Sequence, residues 1–281
     1  MKHSQKLSLT IFLSCVSFIA AAADYSGAKS NVLSNAASEF CEKYRADLLA
    51  QKANWKVASS DSNGLVVVPF PGNPKREAQI TMDAESGQII GFSTLKGFSQ
   101  KRYGPTVSNV EQQVSNKKNA LLADFCGNNA EIRQVQARTF SFAERGGHEV
   151  IEYAWKRQTN GFAYRDDFIR FLFDAKDGEL LSFRKSWGTA PRSTKLNVEL
   201  EAAKTVVAKR IGAGDNPKAL RVQSAELAVV TPNDLFGRVR QTSERRLAWV
   251  VVVPTQFQQE RPAEFWIDSE TGALLGGTSL Q

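Results

Sequence analysis

Gly64–Phe92 reads GLVVVPFPGNPKREAQITMDAESGQIIGF, Trp155–Phe183 reads WKRQTNGFAYRDDFIRFLFDAKDGELLSF, and Trp249–Gly277 reads WVVVVPTQFQQERPAEFWIDSETGALLGG. Set against one another without a gap, the three stretches agree in several columns. Asp83, Asp174 and Asp268 each stand four residues before a glycine, Gly87, Gly178 and Gly272. Ile89-Ile90, Leu180-Leu181 and Leu274-Leu275 follow those glycines at one shared offset. Trp155 and Trp249 precede their aspartates by the same 19 residues, and Pro69 and Pro254 by the same 14. Self-similarity in a fixed register marks a chain assembled from copies of one supersecondary unit.

Each Asp-x-x-x-Gly segment joins two short apolar strands. An aspartate at a turn entry accepts from backbone amides two residues on, and glycine supplies the left-handed position that closes a short hairpin. A calcium loop needs more length and alternating oxygen ligands, which these segments lack. The six residues are therefore read as structural turns. The strand before each turn alternates. Ala78, Ile80 and Met82 share one face, as do Ile169, Phe171 and Phe173, and Ala263, Phe265 and Ile267. The opposite face carries Leu172 and Trp266. These two are candidates for an outward apolar binding spot, or for packing between neighbouring units.

Upstream of each strand set lies an apolar stripe of helical spacing. The first holds Leu33, Ala37, Phe40, Cys41, Tyr44 and Leu48; the second Val110, Val114, Leu121, Leu122 and Phe125; the third Ala203, Val206, Val207 and Ile211. Asn31, Asn109 and Asn197 are expected to cap these helices, with Gly127 and Gly212 as stops. Strands are expected near 54–59, 64–70, 77–83 and 87–93, then 132–143, 148–158, 166–174 and 178–184, then 220–230, 246–254, 262–268 and 272–277. The fold class that follows is α+β: three tandem units, each a helix packed on a curved antiparallel sheet. The expected boundaries are 24–104, 105–192 and 193–281, after a leader at 1–23.

The leader rests on its own pattern. Lys2 and Lys6 precede an uncharged apolar run, Leu7–Ala22, and Ala21-Ala22-Ala23 stands before Asp24. A positive start, a short apolar core and small residues at the end describe a secretory signal peptide, and the run is too short to span a bilayer. A lipid site at Cys15 fits less well, because Phe12 stands where leucine is usual. The expected location is therefore periplasmic or extracellular, with no membrane span once the leader is cleaved. Without Lys2 and Lys6 the formal net charge falls from +7 to +5, with signs interspersed. That balance suits a soluble protein and lacks the clustered basic face of a nucleic-acid binder.

The helix, the strands and the final hairpin together resemble the PepSY domain. WIDSETGALLG carries the resemblance best, with FLFDAKDGELLSF and ITMDAESGQIIGF behind it. Tandem arrangement behind a leader is similar to YpeB-like and YcdB-like exported bacterial proteins. The resemblance implies a cystatin-like helix-on-sheet fold and no transferable catalytic residues. It also implies a protein or peptide partner, with an inhibitory or chaperoning role toward a protease as one form. No protease segment and no His-Glu-x-x-His motif follows, so such a role would act in trans.

The residues give little chemistry. His148 is the only histidine after residue 23, and no Gly-x-Ser-x-Gly elbow accompanies it. One histidine and two separated cysteines give no zinc spacing, and no nucleotide fingerprint is present, so the expectation is no metal, no cofactor and no catalysis. Cys41 and Cys126 are candidates for a disulfide in an oxidising compartment, or Cys41 for a small buried hydrophobe. The links between units are basic and aromatic: Lys101 and Arg102 lie in the first, and Arg184, Lys185 and Trp187 in the second. They form either solvated linkers or the rim of a cleft for an acidic peptide or a cell-wall polymer.

Overall fold

The computed structural model describes residues 27–59, 63–70, 73–83, 86–94, 109–127, 132–142, 148–212, 221–235, 244–254 and 262–279. The expected leader, residues 1–23, and Lys101 and Arg102 lie outside them. Among the described residues, a helix followed by four strands occurs three times. α1 (Gly27–Tyr44) precedes β1 (Lys56–Ser59), β2 (Asn63–Phe70), β3 (Asn73–Asp83) and β4 (Ile89–Ser93). α2 (Val110–Cys126) precedes β5 (Ile132–Phe142), β6 (His148–Thr159), β7 (Phe162–Asp174) and β8 (Leu180–Ser186). α3 (Leu200–Arg210) precedes β9 (Ser224–Val230), β10 (Arg246–Pro254), β11 (Pro262–Asp268) and β12 (Leu274–Ser279). A 3₁₀ helix, Ala46–Asn54, follows α1 and carries the buried Leu48, which the stripe had placed on the helix itself.

Each quartet is an antiparallel meander, and all three join in one 12-stranded, mostly antiparallel sheet. The first two quartets meet edge to edge. β4 pairs antiparallel with β8, with Gly91 opposite Arg184, Phe92 opposite Phe183 and Ser93 opposite Ser182. The third quartet attaches differently. β7 begins at Phe162, earlier than the alternation suggested, and the added stretch pairs in parallel with β9 at Ala163–Ala228 and Tyr164–Val229.

The three hairpins have one geometry. The N–H of Gly87, Gly178 and Gly272 donates to the carbonyl of Asp83, Asp174 and Asp268 at 2.9, 3.0 and 3.0 Å. The glycines have φ of 70, 67 and 75°, the left-handed region. Each aspartate side chain accepts from the turn: Asp83 from the Ser86 N–H, Asp174 from Lys176 and Asp268 from Glu270 and Thr271. A register shift falls at the same place in each third strand, between Thr81 and Met82, Leu172 and Phe173, and Trp266 and Ile267.

The expected inner faces are inside. Ala78, Ile80, Met82, Phe171 and Phe173 have no exposed surface, and Ile169, Phe265 and Ile267 are buried. One continuous core runs under α1 and α2, from Leu33 through Phe92 to Phe183, while α3 covers its own, built on Val207, Val251 and Phe265. Burying a phenylalanine is worth roughly 1.5–3 kcal/mol, so the shared aromatic core fastens the first two quartets together.

The capping asparagines behave otherwise than expected. Asn31 lies inside α1. Asn109 precedes α2 at φ 67° with no side-chain capping bond, because a left-handed backbone turns its side chain away from the free amides. Asn197 lies upstream of α3, its N–H donated to the Ser269 carbonyl at 2.9 Å. Gly127 and Gly212 do follow helix ends at positive φ. Ile211 lies beyond α3 and is 47% exposed, so it leaves the third stripe.

Candidate functional site, a cleft between the first two helices

The pairing of β4 with β8 sets α1 and α2 over one stretch of sheet and leaves an open cleft of about 570 Å³ between their C-terminal ends. Phe40 and Tyr44 of α1 and Phe125 and Cys126 of α2 line it, with Lys185 of β8. Aromatic contacts form its wall: Phe125 lies 4.4 Å from Phe183, 6.2 Å from Phe40 and 6.5 Å from Tyr44, centroid to centroid.

A polar clasp closes one side. Tyr44 Oη donates to Asp124 Oδ2 at 2.6 Å, and Lys43 Nζ reaches both carboxylate oxygens at 2.6 and 2.7 Å. Partial burial alone would raise the Asp124 carboxyl; the Lys43 and Tyr44 hydrogen bonds outweigh it and hold the group below its ordinary value of 3.8. The Tyr44 phenol is pushed well up by burial and by the same carboxylate. Behind the clasp, Arg45 is buried. Its Nη1 donates to the Leu180 carbonyl at 3.0 Å, and its Nη2 lies 2.5 Å from Glu179, so the junction between α1 and the 3₁₀ helix is tied to the second quartet's hairpin.

Lys185 enters from the sheet. Its ammonium stands 4.8 Å from the Trp187 ring. Burial lowers its pKa, and nearby Arg157 adds to that. Among the described residues no carboxylate pairs with it. The cleft therefore presents one half-buried cation amid aromatic rings, a setting that favours a ligand bringing an anionic group and an apolar body.

The two cysteines are free thiols, which corrects the disulfide expectation. Cys41 sits on the core-facing stripe of α1, whereas Cys126, the last residue of α2, looks into the cleft. Burial pushes the Cys41 thiol up to about 12 and the Cys126 thiol up to about 11, so both stay protonated near neutral pH.

Leu172 and Trp266 do not form an outward apolar spot. Leu172 is 6% exposed, packed with Val150 and Leu181; Trp266 is 3% exposed, packed with Val250 and Leu275. The sheet face away from the helices carries its own apolar rows, which alternation along a single strand does not reveal. Trp187 is half-buried, its ring facing Arg157 at 5.5 Å as well as Lys185. Arg184 is exposed, its guanidinium 5.5 Å from the Phe168 ring. His148 opens β6 opposite Phe142, far in the register from the cleft strands.

The second linker is held by a buried charge cluster. Asp167 is fully buried and meets Arg245 Nη2 at 2.5 Å and Arg157 Nη1 at 3.3 Å. The Gly188 N–H donates to the same carboxylate at 3.2 Å, and Arg157 donates to the Gly188 carbonyl at 2.8 Å. Arg157 and Arg245, neither of them among the residues read as a binding rim, thus lock the linker at Gly188 onto the second and third quartets.

No family model matches the chain, and no curated protein matches it by sequence. Among solved structures the chain is similar to the Bacillus megaterium YpeB C-terminal domain, with a TM-score of 0.43 and 15% identity over 93% of this chain and 100% of that one. Among the described residues, no helix is long and apolar enough to cross a membrane.

Proposed function

We propose that the chain is an exported, non-catalytic binding protein made of three copies of a PepSY-like unit, and that it holds a protein or peptide partner in the cleft between α1 and α2. The observation that carries this reading is Lys185: a half-buried ammonium without a carboxylate partner among the described residues, set against aromatic walls. A partner offering an acidic side chain beside an apolar one would neutralise Lys185 and cover the half-buried Phe125. A secreted protease, held in trans, is the first partner to test.

The groups in the cleft suit holding better than reacting. A general base works best with a pKa near the working pH, and Asp124 lies well below that, fixed by Lys43 and Tyr44. A reactive cysteine needs a depressed pKa, and Cys126 is shifted the other way. The alternative, capture of wall polymer by the basic-aromatic links, is weakened at the second link, where Trp187 and Gly188 are engaged by Arg157 of β6.

The test is calorimetric titration of the chain from Asp24 onward with a thermolysin-type protease, paired with assay of that protease's activity. Binding that falls at least tenfold in Lys185→Gln and in Phe125→Ala is expected. Unaltered protease activity, together with no heat of binding to the protease or to short acidic-aromatic peptides, would sink the reading.

A further inference from the structure

The join between the first two quartets has a symmetry of its own. Phe92 and Phe183 face each other, and each stands nine residues after its turn aspartate. Gly91, at offset eight, faces Arg184 at offset ten; Ser93, at ten, faces Ser182 at eight. The fourth-strand edge is therefore self-complementary: two like edges pair antiparallel about the ninth residue. The Thr94 N–H donates to the Leu181 carbonyl at 2.9 Å, two places along from Phe92–Phe183. Hydrogen-bonded pairs alternate in an antiparallel ladder, so the N–H and C=O of the ninth residue point outward, at the partner edge.

β12 has the same edge, with Gly277 at offset nine and Leu275 at seven. No described strand pairs with it on that side. One residue of the segment after β9 occupies the place instead. Asn233 Nδ2 donates to the Gly277 carbonyl at 2.8 Å, and Asn233 Oδ1 accepts from the Gly277 N–H at 3.2 Å. The Asn233 backbone N–H donates to the Leu275 carbonyl at 3.0 Å, as Thr94 does to Leu181. A primary amide carries one donor face and one acceptor, so a single side chain reproduces the two-way exchange that Phe92 makes with Phe183. Gly276 permits the approach. Its φ is 130°, and a Cβ there would stand 2.2 Å from Asn233 Oδ1.

We propose that Asn233 is a plug in a self-complementary strand edge: seated, it keeps the third quartet from pairing; withdrawn, it exposes β12 to pair antiparallel with β12 of a second copy of this chain, about Gly277. An unpaired edge is a template for strand addition, and a capped one is not. The occupant is a second copy because the edge is complementary to itself, as β4 and β8 display within one chain. The plug leaves the α1–α2 cleft untouched, so its test is independent of partner binding there.

The experiment measures the mass of the chain from Asp24 by sedimentation velocity over a range of concentrations, with circular dichroism to establish folding. Wild type should remain a single chain. Asn233→Ala, which loses both side-chain bonds, should move toward twice that mass as concentration rises, with the Gly277 amide still protected from hydrogen exchange in the dimer. Asn233→Asp sets a carboxylate oxygen against the Gly277 carbonyl and so unseats the plug, but it brings two like charges beside the two-fold axis of any pair, so it should remain a single chain. Should Asn233→Ala precipitate, Asn233→Ser gives the same reading, being too short to span Gly277. A folded Asn233→Ala or Asn233→Ser that stays at single-chain mass, a dimer with a fast-exchanging Gly277 amide, equal association of the Ala and Asp variants, or a dimeric wild type would each overturn the proposal.

Discussion

Tyr44 and Asp124, 80 residues apart in sequence, share a 2.6 Å hydrogen bond across the mouth of the cleft. Because the bond and the Lys43 pair hold the Asp124 carboxyl below 3.8, the folded state binds this proton less readily than the unfolded chain does. Its stabilising effect is thus present above the unfolded value and is lost as pH falls through the lower, folded value. Denaturation of wild type and Asp124→Asn should differ near neutral pH and converge below 3.8. A gap independent of pH across that window would show that the carboxylate charge is not what Tyr44 and Lys43 hold.

Gly178 should be the least replaceable of the turn glycines in the first two quartets. At φ 67° an alanine is already strained by about 1–2 kcal/mol, and its Cβ would stand 3.2 Å from Val114 Cγ2. At Gly87 the nearest atom, Val32 Cγ1, is 3.8 Å away. Chemical denaturation should rank Gly178→Ala as more destabilising than Gly87→Ala. Equal losses would mean that α2 yields to the added methyl.

The hairpins were legible because their chemistry is local. An aspartate, a glycine four residues on and alternating apolar residues fix a turn and its two strands wherever they occur. The strand pairing that joins the quartets leaves almost no trace in the sequence: β4–β8 uses backbone groups, and so does the parallel meeting of β7 with β9, while the side chains that support these joins meet only once the edges have paired. The cleft was hidden for that reason. Phe125, Cys126 and Lys185 were visible as residues, but their meeting with Phe40 and Tyr44 depends on the edge join. Alternation named the face on which Leu172 and Trp266 lie; it carried no word on what packs there. Asn233 had no signal at all, since an asparagine in a loop is ordinary until the edge it caps is known.

The thiols give a separate check on the cleft. Cys126 lines it, whereas Cys41 is buried in the core, and both are protonated near neutral pH. A maleimide should modify Cys126 slowly, at a rate rising with pH toward 11, and reach Cys41 only on unfolding. Intact mass of the chain from Asp24, isolated from an oxidising medium, should correspond to two free thiols. A loss of two hydrogens, with neither cysteine labelled after denaturation, would place a disulfide where the structure has none.

Asp167 should be a highly sensitive polar residue. It is enclosed with Arg245, whose side chain is only 8% exposed, and with Arg157, which also holds the Gly188 carbonyl. Burial raises the Asp167 carboxyl, and the two guanidiniums and the Gly188 N–H pull against that shift. Asp167→Asn removes the charge and strands Arg245 in the interior. Breaking one partner of a buried pair costs about 3–5 kcal/mol, far more than an exposed pair contributes. Gly188→Ala attacks the cluster from the other side, because its Cβ would stand 2.3 Å from Arg245 Nη2. Both variants should lower the denaturation midpoint and open the chain between Trp187 and Glu199 to limited proteolysis, while leaving the α1–α2 core intact. Loss confined to the third quartet would show that the cluster is the fastening between it and the second. A variant as stable and as protease-resistant as wild type would mean that the β7–β9 pairing alone is enough.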